Sequence, residues 1–292
     1  MIMNGIRVFF LIGVLAIISG CRSSTYSREN IKADLASLAK KEYGLKMDVF
    51  EVNDTIIARY TLKNLQGELM AEDQKLWQDT DHLLMVLIRV TLSMDHPPKF
   101  FVLEIADEEN PDIRFSFTRY VGDVKKYLAE AISTTQYYDT LLMEFIIGNE
   151  KKVFDPSEMD LVQFLLMALS AEDANGQEKL HFAPQEVWLP DFLAGVAANR
   201  ARRLLKEKPE IKSNYFLRQV IGQFEEPAGE YRFLIDLVPK SPQNLPGSLL
   251  DKTVFPFVAR ETAELIKSYK FQDFSKILVT DKHTGRMMSF PR

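Results

Sequence analysis

The side chains of this chain that could carry a proton, a metal ion or a nucleophile are few: four histidines, one cysteine and scattered groups of carboxylates. His82 and His96 each follow an aspartate, Asp81 and Asp95, but neighbours along a helix do not face one another, so adjacency makes no dyad. His283 stands in a turn near Asp281, and His181 stands apart. A general base needs a partner within hydrogen-bond reach, which spacing alone does not supply, so these read as surface or capping histidines. Asp107-Glu108-Glu109-Asn110-Pro111-Asp112 could attract calcium, yet it lacks the central glycine and closing glutamate of a calcium loop and reads as a solvated hairpin loop. Asp173-Ala174-Asn175-Gly176 is a turn fragment of the same kind. There is no Gly-x-Gly-x-x-Gly, no phosphate loop, no His-Glu-x-x-His and no Gly-x-Ser-x-Gly. No cofactor is called for, and a zinc site would have to converge from distant positions.

Cys21 differs because of what precedes it. Arg7 is the one charged side chain before it, and Val8 to Ile18 are all apolar or glycine. That is the charged start and apolar run of a secretory signal, too short for the roughly 20 apolar residues of a membrane span. Arg22-Ser23-Ser24-Thr25 then follows at once. Ile18-Ser19-Gly20-Cys21 resembles the lipobox of bacterial lipoproteins: an aliphatic residue, two small residues, then cysteine. The resemblance covers residues 1–21 only. It implies a signal peptide over 1–20, cleavage between Gly20 and Cys21, and diacylglycerol on the Cys21 thiol. A further amide-linked chain such as palmitate is often present, and stable anchoring takes more than one chain. In Gram-negative members an Asp after the cysteine tends to hold the protein at the inner membrane, so Arg22 leans toward the outer membrane facing the periplasm. A sole cysteine in an exported chain can build no internal disulfide, which agrees with its use as an anchor.

The rest of the composition is that of a globular protein, 46% apolar with a formal net charge of −5. Net negative charge argues against a nucleic-acid partner. Arg200, Arg202, Arg203, Lys206 and Lys208 gather near a helix end, where cations suit the helix dipole, and could face anionic headgroups. Arg89, alone in an apolar stretch, is expected to snorkel to the surface.

The elements that position these groups follow from periodicity. Residues 21–29 read as the lipidated cysteine and a polar tether. In 30–118 the spacing predicts a helix over 31–43, strands around 47–49 and 57–62 about an Asn53-Asp54 turn, a buried helix over 79–94, and strands over 100–105 and 113–118. Residues 119–190 read as a helical middle segment. Val121, Val124 and Leu128 mark one helix, Leu141, Leu142, Phe145 and Ile146 another, and Asp155-Pro156-Ser157-Glu158 starts a third. In 191–292 a helix over 191–206, strands over 215–224 and 231–238, a helix over 254–269 and strands over 277–279 and 287–290 repeat the order of the first unit. The expected fold is α+β with a two-fold repeat of helix-strand-strand-helix-strand-strand.

Three functions fit this reading. The foremost is a non-enzymatic interaction or assembly protein of the cell envelope, bound to the membrane through its lipid and to a protein partner. The second is a carrier of an apolar ligand beneath the helix at 82–94. The third is a hydrolase whose residues converge from distant positions.

Overall fold

The computed structural model describes residues 26–70, 74–110, 113–147, 150–154, 184–241 and 247–292. The signal segment with Gly20 and Cys21, His181, and the helix start at 155–158 lie outside them.

Tyr26 and Arg28, placed in the tether by sequence, are docked on the body. The Tyr26 amide donates to the Ser93 carbonyl, the Asp95 amide donates to the Tyr26 carbonyl, and Arg28 pairs with Glu51 and Asp54. Helix α1 (Ile31–Tyr43) buries Ile31, Leu35 and Ala39 and stops at Gly44, whose φ of 73° lets its amide reach back to the carbonyls of Ala39 and Lys40. Strands β1 (Asp48–Val52) and β2 (Thr55–Leu62) form an antiparallel hairpin over Asn53, itself at φ 51°. A short helix α2 (Leu65–Met70) and the long α3 (Gln74–Leu92) cross over to β3 (Phe100–Asp107), which runs parallel to β2. Strand β4 (Ile113–Tyr120) then turns back antiparallel.

α3 is amphipathic rather than buried all round. Leu83, Val86, Leu87 and Val90 face the core, while Met85 on the other side is 59% exposed. Asp81 and Arg89 share the outer side, and Arg89 reaches out to pair with Glu42 at 2.7 Å.

The middle segment departs from the helical expectation. Helices α4 (Val121–Leu128) and α5 (Thr134–Asp139) are short, the latter opened by a Ser133/Gln136 capping box. The run expected as a further helix is strand β5 (Leu142–Ile147), which with β6 (Glu150–Phe154) extends the sheet to the order β1-β2-β3-β4-β5-β6. Met143 and Phe145 alternate with Leu142, Glu144 and Ile146, and both sets find cover, so the period-two pattern wins over the helical one.

The second unit opens with α6 (Leu189–Lys206) and the short α7 (Pro209–Asn214), then β7 (Tyr215–Glu225) and β8 (Glu230–Pro239). Helix α8 (Phe255–Ser268) leads to β9 (Lys276–Asp281) and β10 (Met287–Pro291), in the sheet order β10-β9-β8-β7. Strand directions match the first unit: antiparallel β7/β8, parallel β8/β9, antiparallel β9/β10. The likeness extends to single bonds. The Glu108 amide donates to Leu62 in one unit and the Lys282 amide to Ile235 in the other, each just past a buried aspartate, Asp107 or Asp281, that ends a strand and accepts amides of the following turn. The fold is α+β with a repeated unit.

α1 and α3 cover one face of the first sheet, and α6 and α8 cover one face of the second. α6 also reaches across to the first unit, and every residue from Phe192 to Ala198 is buried. Its small side chains permit this. A Cβ on Gly195 would lie 2.9 Å from a Leu142 methyl of β5, and one on Gly222 of β7 would lie 2.3 Å from the Ala194 carbonyl oxygen. Among the described residues no helix is long and apolar enough to cross a membrane.

Candidate functional site

The face of the first sheet opposite α1 and α3 carries an unusual row. Alternation puts Arg59, Glu104, Ser116 and Glu144 side by side across β2, β3, β4 and β5, because Arg59 pairs in register with Glu104, Glu104 with Ser116, and Ser116 with Glu144. Arg59 takes Glu104 through two contacts, Nε at 2.9 Å and Nη2 at 2.7 Å. The next row is Ile57, Val102, Thr118 and Leu142, apolar but for one hydroxyl.

Gln185 to Phe192, the approach to and first turn of α6, pass over this face. The Val187 amide donates to the Thr55 hydroxyl at 3.0 Å. Between this segment and the sheet lies a cleft of about 180 Å³ lined by Ile57, Val102, Glu104, Ser116, Glu144 and Trp188 among others. A wider, shallower groove of about 450 Å³ adjoins it through Gln185, Glu186, Trp188 and Asp191 and ends at Phe224 and Glu226.

Among the described residues, two hydroxyls here are buried without a hydrogen-bond partner. Ser116, 3% exposed, lines the deep cleft, and among the described residues its Oγ bonds to neither flanking glutamate nor any other group. The Tyr231 hydroxyl is likewise unpartnered, with its ring 4.9 Å from that of Phe224 in the groove wall. Burial first, and then the Asp191 carboxylate, push its pKa well up, so it stays a neutral donor. A buried hydroxyl left unbonded costs about 1–3 kcal/mol, a cost that native folds seldom carry without a reason.

The groove is joined to the N-terminal end of the described chain. An Arg28 guanidinium donates to the Asn53 carbonyl, and the Asn53 side-chain amide donates to Glu186 at 2.6 Å. Tyr26, five residues after Cys21, therefore docks beside the turn that holds the groove's rim.

The residues singled out by sequence lie elsewhere. His82 stacks on Tyr43 with ring centroids 4.1 Å apart, and the His96 amide is held by Asp95. His283 does meet a carboxylate, Asp236, at 2.7 Å, but among the described residues that is its only hydrogen-bond partner, and Lys282 takes the other oxygen. Asp107, in the acidic loop, spends its oxygens on the amides of Leu65, Glu109 and Asn110. Among the described residues no three His, Cys, Asp or Glu side chains converge to hold a metal ion. Of the basic cluster, Arg200 pairs with Glu261 of α8 and Arg203 with Asp139 of α5, so these two arginines join helices rather than offer a free cationic face. Below α3, Leu83, Leu87, Phe101, Leu103 and Phe115 are fully buried together, so the region named for an apolar ligand is filled core. The cleft escaped sequence reasoning because its walls come from four strands and a segment nearly 40 residues further on. The one local signal was Glu104 amid apolar neighbours in β3.

No protein-family model, no curated protein and no solved structure matches this chain.

Proposed function

We propose that this protein is a lipid-anchored component of a bacterial cell envelope, held at the membrane by Cys21, that acts by binding a partner rather than by covalent chemistry. The observation that carries the reading is the Ile18-Ser19-Gly20-Cys21 box at the end of an eleven-residue apolar run, holding the chain's sole thiol. Docking of Tyr26 supports it from the other side: about five residues separate lipid and body, a reach of about 17 Å at ~3.3–3.6 Å per residue. The groove at Glu186 then lies on the part of the body nearest the membrane. The outer membrane, facing the periplasm, is the favoured location in a Gram-negative cell, and nucleic acid is not a partner.

The binding reading is supported by how the titratable groups outside the groove are used. Among the described residues the His283–Asp236 pair meets no third side chain that it could activate, and the buried aspartates 107 and 281 cap turns. Replacing Cys21 by Ala should abolish incorporation of a labelled lipid precursor and move the protein from the membrane to the soluble fraction. A variant that keeps both label and membrane association overturns the anchor.

A further inference from the structure

We infer that the face of the second sheet turned away from α6 and α8 is a docking surface for an amphipathic helix of a protein partner, a helix that carries carboxylates beside its apolar stripe. The inference deepens the binding reading above and rests on it only for there being a partner.

The repeat lets the two sheets be compared place by place. Leu62 pairs with Asp107 in the first unit as Ile235 pairs with Asp281 in the second. The same distance back along each strand sets Arg59 against Arg232 and Glu104 against Leu278. The neighbouring strands extend the match. The row Arg59, Glu104, Ser116 answers to Arg232, Leu278, Ser289, and the row Thr61, Ala106, Arg114 answers to Leu234, Thr280, Met287. In the first unit this face is covered: Phe192 of α6 lies 5.2 Å from Phe100, ring to ring, and Gly195 brings α6 against Leu142. Cover favours apolar side chains and water favours polar ones, yet the two faces show the reverse. Leu278, Leu234 and Met287 stand where the covered face has Glu104, Thr61 and Arg114. With Ile221 beside Leu234, and Phe216 beside Val238 further along, these side chains belong to neither hydrophobic core. Phe216 is 57% exposed and Met287 64%. An open sheet face more apolar than its covered counterpart marks a binding surface.

The first unit also shows what such a face accepts, because its own cover is a helix, α6. Charge sets the polar side of the partner's helix. Between the Leu234 and Val238 rows lies Asp236, buried and bonded by Lys282 and His283, both exposed. Lys240, also exposed, lies 5.0 Å from the Phe216 ring centroid, and exposed Arg218 occupies the bulge of β7. The carboxylate at this end is buried and the cations are not, so what a partner meets here is positive. At the other end Arg232 and Lys276 are joined to Glu225 and Glu230 and offer no excess of either sign. Three cations offset in part by Asp236 fall short of the roughly 4–8 basic residues of an anionic-lipid site, which favours an acidic helix over a bilayer.

The test uses the full-length protein and a fluorescent peptide of the length of α6, 18 residues, with an alanine and leucine stripe flanked by glutamates. Two further peptides serve as comparisons, one with lysine for every glutamate and one with two prolines that break the helix. The expected result, read by anisotropy, is saturable binding of the glutamate helix, weakened by added salt, with both comparison peptides at least tenfold weaker. Phe216→Glu and Met287→Glu should each weaken it about tenfold, equivalent to about 1.4 kcal/mol. Both side chains are more than half exposed, so the fold is retained, which urea melts check. Met85→Glu, an equally exposed position on α3, should leave binding unchanged. No saturable binding, equal binding of either comparison peptide, or indifference to both face substitutions overturns the inference. A dimer in sedimentation that Met287→Glu dissolves assigns the face to a second copy, and binding to phosphatidylglycerol vesicles lost in Met287→Glu assigns it to lipid; either result overturns the helix. Because Cys21 anchoring is read by fractionation, these failures leave that result untouched.

Discussion

Asp236 illustrates how a single buried carboxylate is held charged. It is 3% exposed on β8, and burial by itself raises its pKa, but hydrogen bonds from His283 and Lys282 outweigh that and hold it below the ordinary aspartate range. An acid whose folded pKa lies below its unfolded one stabilises the fold above the unfolded value. That contribution is lost as pH falls through the folded pKa. Asp236→Asn should therefore cost about 1–2 kcal/mol at pH 7, with both partners half exposed, and the difference from the parent should shrink as urea melts are repeated below about pH 4. A difference that stays constant with pH would mean the side chain acts through packing alone. Single residues were also where the sequence was least informative about function. Nothing in the order Phe115-Ser116-Phe117 says that the serine lies between glutamates from two other strands, since that follows only from the register of β3, β4 and β5.

Elements were largely legible, and the exceptions have physical causes. The helix at 31–43 and the hairpin at Asn53 were plain because apolar period, glycine cap and turn residues agree there. Strand β5 was hidden because Leu141, Leu142, Phe145 and Ile146 also fit a helical stripe, and a strand whose two sides are apolar but for Glu144 shows little polar alternation to betray its period. The short helices α2 and α7 carry too few residues to show a period at all. The approach of α6 to β7 depends on Gly222, where a Cβ would strike the Ala194 carbonyl oxygen. Its backbone does not need glycine's conformational freedom, so Gly222→Ala would otherwise gain a few tenths of a kcal/mol from the unfolded state. The overlap dominates, and chemical denaturation should show a net loss of about 1–3 kcal/mol.

At the scale of the whole molecule, the two units meet through more than α6. Tyr269, just past α8, donates its hydroxyl to Asp123 of α4, a buried carboxylate that also takes Lys126 at 3.0 Å. Burial, and then the Asp123 charge, hold the Tyr269 hydroxyl well above the ordinary phenol range, so it remains a donor at every physiological pH. Its ring continues into an aromatic group with Tyr120, Phe192 and, through Phe192, Phe100. Tyr269→Phe should lower stability by about 1–3 kcal/mol, and a double-mutant cycle with Asp123→Asn should return a coupling of about 1 kcal/mol or more. Independent, additive losses would show that the bond does not join the units. The order of the repeat was readable from spacing, whereas this junction was not, because Tyr269 and Asp123 are 146 positions apart.

The repeat is also uneven, and the unevenness bears on self-association. In the first unit β4 is covered by β5 and β6, whereas its counterpart β10 is left as the outer strand of its sheet. An open strand is readily extended by a neighbour's backbone. β10 is only five residues long and ends in Pro291, which has no amide to donate, and the opposite edge, β7, is broken by a bulge between Leu217 and Gln219. Short length, proline and bulge are the features by which sheet edges resist polymerisation, so a concentrated solution of this protein would be expected to remain a population of separate bodies.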